Sequence, residues 1–166
     1  MKKFIVMFIC LVLTSVCFTS CSEDEDITRI TAYSKLIGLW ETTYAQGYYS
    51  IKPSSTPTNF VADLSESNHI DGLSFRLRFR PNGTGTMYEY NEYFNKWSND
   101  DYEDFEYIFE KPFLTMFSSK YKNKFEVVRL SEDELVLRLD GENSKRAVEL
   151  GLQNQYITFC LKKIEI

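Results

Sequence analysis

The sequence predicts an all-β domain made of short antiparallel strands, and three observations carry this prediction. First, residues 73–80 alternate strictly: Ser74 and three arginines share one face, and the other face carries Leu73, Phe75, Leu77 and Phe79, as in a half-buried strand. Second, Pro81-Asn82-Gly83 supplies turn residues before a β-rich run resumes, which indicates a hairpin. Third, strand-length segments recur at short intervals. Such a series is typical of an up-and-down barrel or a sandwich.

The predicted strands follow one another with turn-like residues between them. No convincing helical stripe appears among the later segments. The later segments with strand-like composition are 84–90, 104–110, 112–118, 124–130, 134–139, 145–150 and 156–163. Turns are predicted between them at 119–123, 131–133 and 140–143.

Two stretches depart from this rhythm. Residues 53–72 form a long polar insert, within which residues 59–65 could form one helical turn or a lid. Long loops in compact domains are usually functional or disordered, and the sequence leaves both readings open. Residues 95–104 place Trp97 among polar and acidic residues, and we interpret this stretch as a wide turn at one end of the barrel.

The N-terminus has the features of a secretory signal. Lys2 and Lys3 precede an apolar run at residues 4–16, which is too short to span a membrane. The segment Phe18-Thr19-Ser20-Cys21 then resembles a lipobox, the site at which a bacterial lipoprotein precursor is acylated on the thiol and cleaved before the cysteine. We therefore predict a signal peptide at 1–20 and lipidation of Cys21, with ordinary secretion and nearby cleavage as the alternative.

An acidic run at residues 22–26 follows the predicted cleavage site. Because it cannot pack into a core, it predicts a solvated tether, which together with the lipidated cysteine spans residues 21–32. A cysteine followed by Ser and four carboxylates also resembles the signal that sends lipoproteins of the Bacteroidota to the outer face of the outer membrane. The expected location is therefore the outer membrane, lipid-anchored and facing the cell exterior.

Charge and cysteine content limit the partners of the mature chain. Without residues 1–20 the formal charge falls from -5 to -7, with 17 basic and 24 acidic residues, so nucleic acid is not an expected partner. With Cys21 acylated, Cys160 is the one thiol left in the mature chain, which excludes an intramolecular disulfide. Residues 33–166 are long enough for a single domain, and we expect a monomer.

The domain resembles the lipocalin-like domains of bacterial lipoproteins. The resemblance is carried by the order and spacing of the segments 36–40, 79–85, 105–109 and 130–137. It implies a barrel of about eight strands whose closed end is plugged by Trp40. It also implies a cavity for a small apolar ligand, with the candidate lining residues Trp40, Phe75, Leu77, Phe79, Tyr107 and Phe109.

Residues with catalytic or binding chemistry are few. His69 is the single histidine and has no suitably spaced partners for a triad or a zinc site, and the acidic run 99–104 lacks the spacing of a calcium loop. We interpret Arg76, Arg78 and Arg80 as an outer face paired across to Glu89 or Glu92, with a binding stripe as the alternative. The aromatic residues at 88–94 are interpreted as strand packing, with stacking on sugar rings as the alternative.

These observations favour a noncatalytic protein without a metal or cofactor. The leading hypothesis is a barrel that binds a small apolar or amphiphilic molecule. The alternative is an interaction protein with a filled core, whose rim loops bind a polysaccharide, a protease or a partner lipoprotein. An internal cavity able to hold a drug-sized ligand separates the two hypotheses.

The predicted lipid anchor can be tested by substituting the cysteine that carries the thiol. We expect Cys21→Ala to yield an unacylated protein that is soluble in the periplasm, because the thiol of Cys21 is the predicted acylation site. Metabolic labelling with palmitate should mark the parent and the control variant Cys17→Ala but not Cys21→Ala. Persistent labelling of Cys21→Ala would contradict the assignment.

Overall fold

The computed structural model describes residues 31–49, 56, 58–65, 68–70, 72–91, 93–144 and 155–165. Residues 31–36 are helical, and none of the helical residues in these ranges belongs to a helix long and apolar enough to cross a membrane. The strands are β1 Gly38–Tyr49, β2 Thr58–Asp63, β3 Phe75–Phe79, β4 Thr84–Asn91, β5 Lys96–Glu110, β6 Phe113–Phe117, β7 Lys122–Leu130, β8 Glu134–Ser144 and β9 Tyr156–Ile164.

The strands form one closed antiparallel sheet. From β3 to β9 each strand pairs with the next in sequence, and β9 pairs with β1 along nearly its whole length. The other edge of β1 pairs with β3 in its first half and with β2 in its second half, so β2 and β3 together occupy one position of the barrel. The wall therefore has eight strand positions, and the predicted fold, a lipocalin-like up-and-down barrel, is confirmed.

A buried threonine marks the point where β1 changes partner. Trp40 and Glu41 pair with β3, whereas pairing with β2 begins at Tyr44. Between these residues the fully buried Thr42 accepts a hydrogen bond from the Phe75 amide at 3.0 Å and donates one to the Phe75 carbonyl at 3.2 Å. Buried backbone groups need hydrogen-bond partners, and the Thr42 hydroxyl is the partner of the Phe75 backbone where the strand ladder stops.

Three predictions of local structure are wrong. Residues 59–65 contain strand β2 rather than a helical turn, since their backbone pairs with the second half of β1. Residues 95–104 are not a wide turn: the turn is confined to 93–95, where Asn95 takes a φ of 50°, and β5 begins at Lys96. Residues 140–143 continue strand β8 as far as Ser144. The predicted strand at 145–150 lies outside the described residues.

The faces of β3 follow the predicted alternation. Leu77 and Phe79 are each 1% exposed, on the inward face. Arg76 lies on the outer wall, where its guanidinium pairs with Glu41 at 2.5 Å. The predicted partner Glu89 does not form this pair, because Glu89 is opposite Phe75 in the ladder and shares its inward face. The other predicted partner, Glu92, lies outside the described residues.

One end of the barrel is filled by its own side chains around Trp40. The Trp40 indole is fully buried and donates a hydrogen bond to the Leu36 carbonyl at 2.8 Å. The Lys163 ammonium lies 5.0 Å from the centre of the indole ring, a cation–π contact. The rings of Phe79 and Tyr107 meet edge to face at 5.0 Å, and the Tyr107 hydroxyl donates to the Arg80 carbonyl at 2.6 Å. We call this region the packed end.

Burial in the barrel predicts the cost of truncating its wall residues. We expect Leu77→Ala and Trp40→Ala each to lower the free energy of unfolding by about 2–5 kcal/mol, through lost burial and a residual cavity. Ile108→Ala removes the same number of carbon atoms as Leu77→Ala from a side chain that is 51% exposed on the outer wall, so its cost should stay below about 1 kcal/mol. Urea unfolding curves measure these differences. If Leu77→Ala and Ile108→Ala lowered the free energy of unfolding equally, the assignment of the inward and outward faces would be wrong.

Candidate functional site

The half of the barrel opposite the packed end contains a cavity of about 270 Å³. Its lining is mainly apolar and comes from six strands, β3, β4 and β6 to β9, and from the segments before β3 and β7. The apolar side chains that line it are Phe75, Leu77, Met87, Met116, Phe125, Leu139, Ile157 and Phe159.

Strand alternation places these side chains on one interior surface. Leu77 is opposite Met87 in the β3–β4 ladder, and Leu139 is opposite Ile157 in the β8–β9 ladder, so each pair projects to the same side of the sheet. Across the interior, the rings of Phe75 and Phe159 meet edge to face with their centres 5.1 Å apart. The wall between residues 72 and 75 completes the cavity beside the start of β3.

Polar groups enter this apolar lining from β4, β7, β8 and the turn before β7. They belong to Glu89, Tyr121, Asn123 and Ser144, with Ser74 beside them. The Tyr121 hydroxyl and the Asn123 amide oxygen are buried, and neither has a hydrogen-bond partner among the described residues. A buried polar atom without a partner costs about 1–3 kcal/mol. Both oxygens therefore offer unused hydrogen-bonding capacity to a molecule in the cavity.

Negative charge is disfavoured at the Tyr121 hydroxyl, which borders the cavity. Burial, together with the carboxylates of Glu103 and Glu89, raises the pKa of Tyr121 above its usual value. Glu103 accepts a hydrogen bond from Ser118 and lies 3.7 Å from the Lys120 ammonium. Its charge is partly offset in this way, whereas Glu89 forms no ion pair with a described residue. The phenol stays neutral across the physiological range because an anion at this position is disfavoured.

The six residues predicted to line a cavity lie in different parts of the barrel. Phe75 and Leu77 line it. Trp40, Phe79 and Tyr107 are buried in the packed end, and Phe109 lies opposite Leu114 in the β5–β6 ladder. The residue predicted to be lipidated, Cys21, lies outside the described residues.

The polar lining residues were not predicted. Glu89 lies between Tyr88 and Tyr90, and a strand with aromatic residues on alternate positions favours placing the aromatic residues inside. The ladder shows the reverse arrangement, because Gly85 is opposite Phe79 and Glu89 is opposite Phe75. The signal that could have found Glu89 is the inward row of β3, extended across the hairpin by two-residue steps.

A second cluster lies on the outer wall and involves the predicted loop residue His69. Its imidazole packs at a tilt of 39° against Tyr90 with ring centres 3.9 Å apart and meets the edge of Trp97 at 5.1 Å. The Arg76 guanidinium lies 4.1 Å from the centre of the Trp97 ring while it pairs with Glu41. We call His69, Tyr90, Trp97 and Arg76 the outer aromatic cluster. It ties the insert between β2 and β3 to the barrel wall.

The remaining candidates for chemistry have structural surroundings. Cys160 is half-buried on β9, and burial raises the pKa of its thiol, which keeps the thiol protonated and a poor nucleophile. Asp104, at the end of the acidic run, accepts a hydrogen bond from Thr86 at 2.7 Å. Within the described ranges no three His, Cys, Asp or Glu residues are grouped so that they could hold a metal ion.

No protein-family model matches the sequence, and no curated protein matches it significantly. Among solved structures, it is similar to a lipocalin-like protein from Bacteroides uniformis, with 14% identity, a TM-score of 0.46 and coverage of 78% of this chain and 99% of that chain.

Two structures of a bovine odorant-binding protein are also similar. The complex of that protein with a selenium-containing odorant is 19% identical, with a TM-score of 0.43 and coverage of 81% of this chain and 73% of that chain. A deswapped triple mutant of the bovine protein is 18% identical, with a TM-score of 0.41 and coverage of 80% and 76%.

Proposed function

We propose that the barrel is a noncatalytic binding module that holds a small apolar or amphiphilic molecule in its interior. The observation that supports this proposal is the cavity of about 270 Å³, whose wall is mainly aromatic and aliphatic. Small-molecule sites in proteins are concave and mostly apolar, with a few polar groups that orient the ligand. The cavity lies just below the usual range of about 300–1,000 Å³, so the ligand is small.

The cavity also bears on the two hypotheses drawn from the sequence. A filled core is observed in one half of the barrel only, around Trp40. The remaining space in the other half, lined mainly by apolar side chains, supports binding of a small molecule in the interior.

One observation favours binding at the rim as a second candidate function. Tyr93 and Phe94, in the turn between β4 and β5, are 90% and 61% exposed, and their rings meet edge to face at 4.9 Å. Exposed aromatic rings of this kind can stack on a sugar ring or on a partner protein. Substitution of Tyr93 separates this function from binding in the cavity.

Binding in the cavity can be tested with the neutral fluorescent reporter N-phenyl-1-naphthylamine. We expect its emission to rise on addition of the purified protein and its affinity to fall by about tenfold, or 1.4 kcal/mol, in Leu139→Trp, because the larger side chain reduces the cavity. Ile108→Trp makes a comparable change on the outer wall, and Tyr93→Ala alters the rim. Both controls should bind the reporter like the parent.

Thermal unfolding of each variant shows whether the fold is kept. An unchanged reporter affinity in a folded Leu139→Trp protein, or loss of binding in Tyr93→Ala, would contradict binding in the cavity.

We also propose that the barrel is displayed on the cell surface by the lipid anchor at Cys21. The support is in the sequence: a lipobox-like segment followed by Glu23, Asp24, Glu25 and Asp26. An amphiphile that approaches the cell from outside would contact the displayed barrel before the membrane.

Surface display depends on the acidic run in this proposal. We expect replacement of residues 23–26 by alanine to leave the lipoprotein on the inner leaflet instead of the cell surface. Its melting temperature should not fall, since a solvated tether contributes nothing to the core. Protease treatment of intact cells measures the exposed fraction, with substitution of the outer-wall residue Glu106 by Ala as the control. Equal digestion of the tether variant and the parent would exclude the acidic run as an export signal.

A further inference from the structure

We infer that the cavity selects a ligand whose polar end is a protonated amine, and that Glu89 is the residue that recognises it. This inference rests on the proposed function, because it assigns a ligand class to the same cavity. It distinguishes an amphiphilic amine from the fatty acids and other anions that an apolar barrel could also hold.

The first observation is the charge of the lining. Among the lining residues that the structure describes, Glu89 is the one charged group. Its carboxylate belongs to the inward row of β4, because Glu89 is opposite Phe75, and it is exposed enough to mark the mouth of the cavity. It forms no ion pair with a described residue, so its charge is available to a ligand.

The second observation is the hydrogen-bonding capacity beside Glu89. The buried oxygens of Tyr121 and Asn123 lack partners among the described residues, and both residues line the same cavity. A protonated amine has three N–H donors and no acceptor. It can therefore donate to the Glu89 carboxylate, the Tyr121 hydroxyl oxygen and the Asn123 amide oxygen, whereas a carboxylate ligand finds donors in the Tyr121 hydroxyl and the Asn123 amide group but is repelled by Glu89.

The third observation is the direction of the electrostatic field. The carboxylates of Glu89 and Glu103 both disfavour a negative charge on the Tyr121 oxygen and so raise its pKa. The same field disfavours the head group of an anionic ligand at this position and favours a cation, since the interaction changes sign with the charge of the ligand. Shape alone would admit either ligand, so charge decides between them.

The experiment compares three molecules with the same eight-carbon chain: octylamine, octanol and octanoate. Each displaces N-phenyl-1-naphthylamine from the purified protein at about 0.15 M salt, where long-range surface attraction is screened. We expect octylamine to compete at a concentration about fivefold below that of octanol, as for a favourable partly exposed ion pair, and octanoate to be the weakest. In Glu89→Gln the affinity for octylamine should fall about fivefold, while that for octanol is unchanged.

Glu106→Gln is the matched control, because it removes one carboxylate from the outer wall and changes the net charge equally. It should keep the preference for the amine. If octanol displaces the reporter but octylamine binds no better than octanoate, or if Glu89→Gln keeps the preference, the inference is wrong while the proposed function stands. If the reporter does not bind the parent protein, the proposed function fails, and the inference fails with it.

Discussion

The architecture depends on how strand β1 satisfies both of its edges. One edge pairs with β9 and closes the barrel. The other edge is shared by β3 and β2, and the change of partner occurs at Thr42. There the Thr42 hydroxyl bonds the Phe75 amide and carbonyl, so that the backbone remains satisfied although the ladder is interrupted. A fully buried threonine at this point permits the second barrel position to be split into two short strands.

The split gives the two halves of the barrel different interiors. In the half where β1 pairs with β3, Trp40 and Phe79 fill the space, and the Lys163 ammonium both covers the indole ring and donates to the Lys35 carbonyl at 2.9 Å. In the other half the wall is completed by residues 72–75, and a cavity remains. Burial of side chains in the packed end stabilises the domain. This stabilisation offsets the free-energy cost of the buried oxygens without hydrogen-bond partners in the second half.

The sequence predicted the fold class well, because alternation and turn residues are local signals. Residues 75–79 are the clearest case: inward Leu77 and outward Arg76 follow directly from the period of two. Ser74, predicted on the outer face, is instead buried and lines the cavity, because the strand begins only at Phe75. Strands β2 and the first half of β5 were missed, since their polar composition resembles a loop and only pairing with distant residues makes them strands. Glu89 was missed for a related reason. Its inward position is set by the register between β3 and β4, which composition does not encode.

The outer wall and the cavity are mechanically connected through the insert before β3. His69 packs against Tyr90 outside the barrel, while Gly72 and Ser74, a few residues further along the chain, line the cavity inside. Between them, Ser74 accepts a hydrogen bond from the Ile70 amide at 2.8 Å and returns one through its own amide at 2.8 Å. Arg76 packs on Trp97, which contacts His69 at its edge, so the outer aromatic cluster adjoins the segment that forms one side of the mouth.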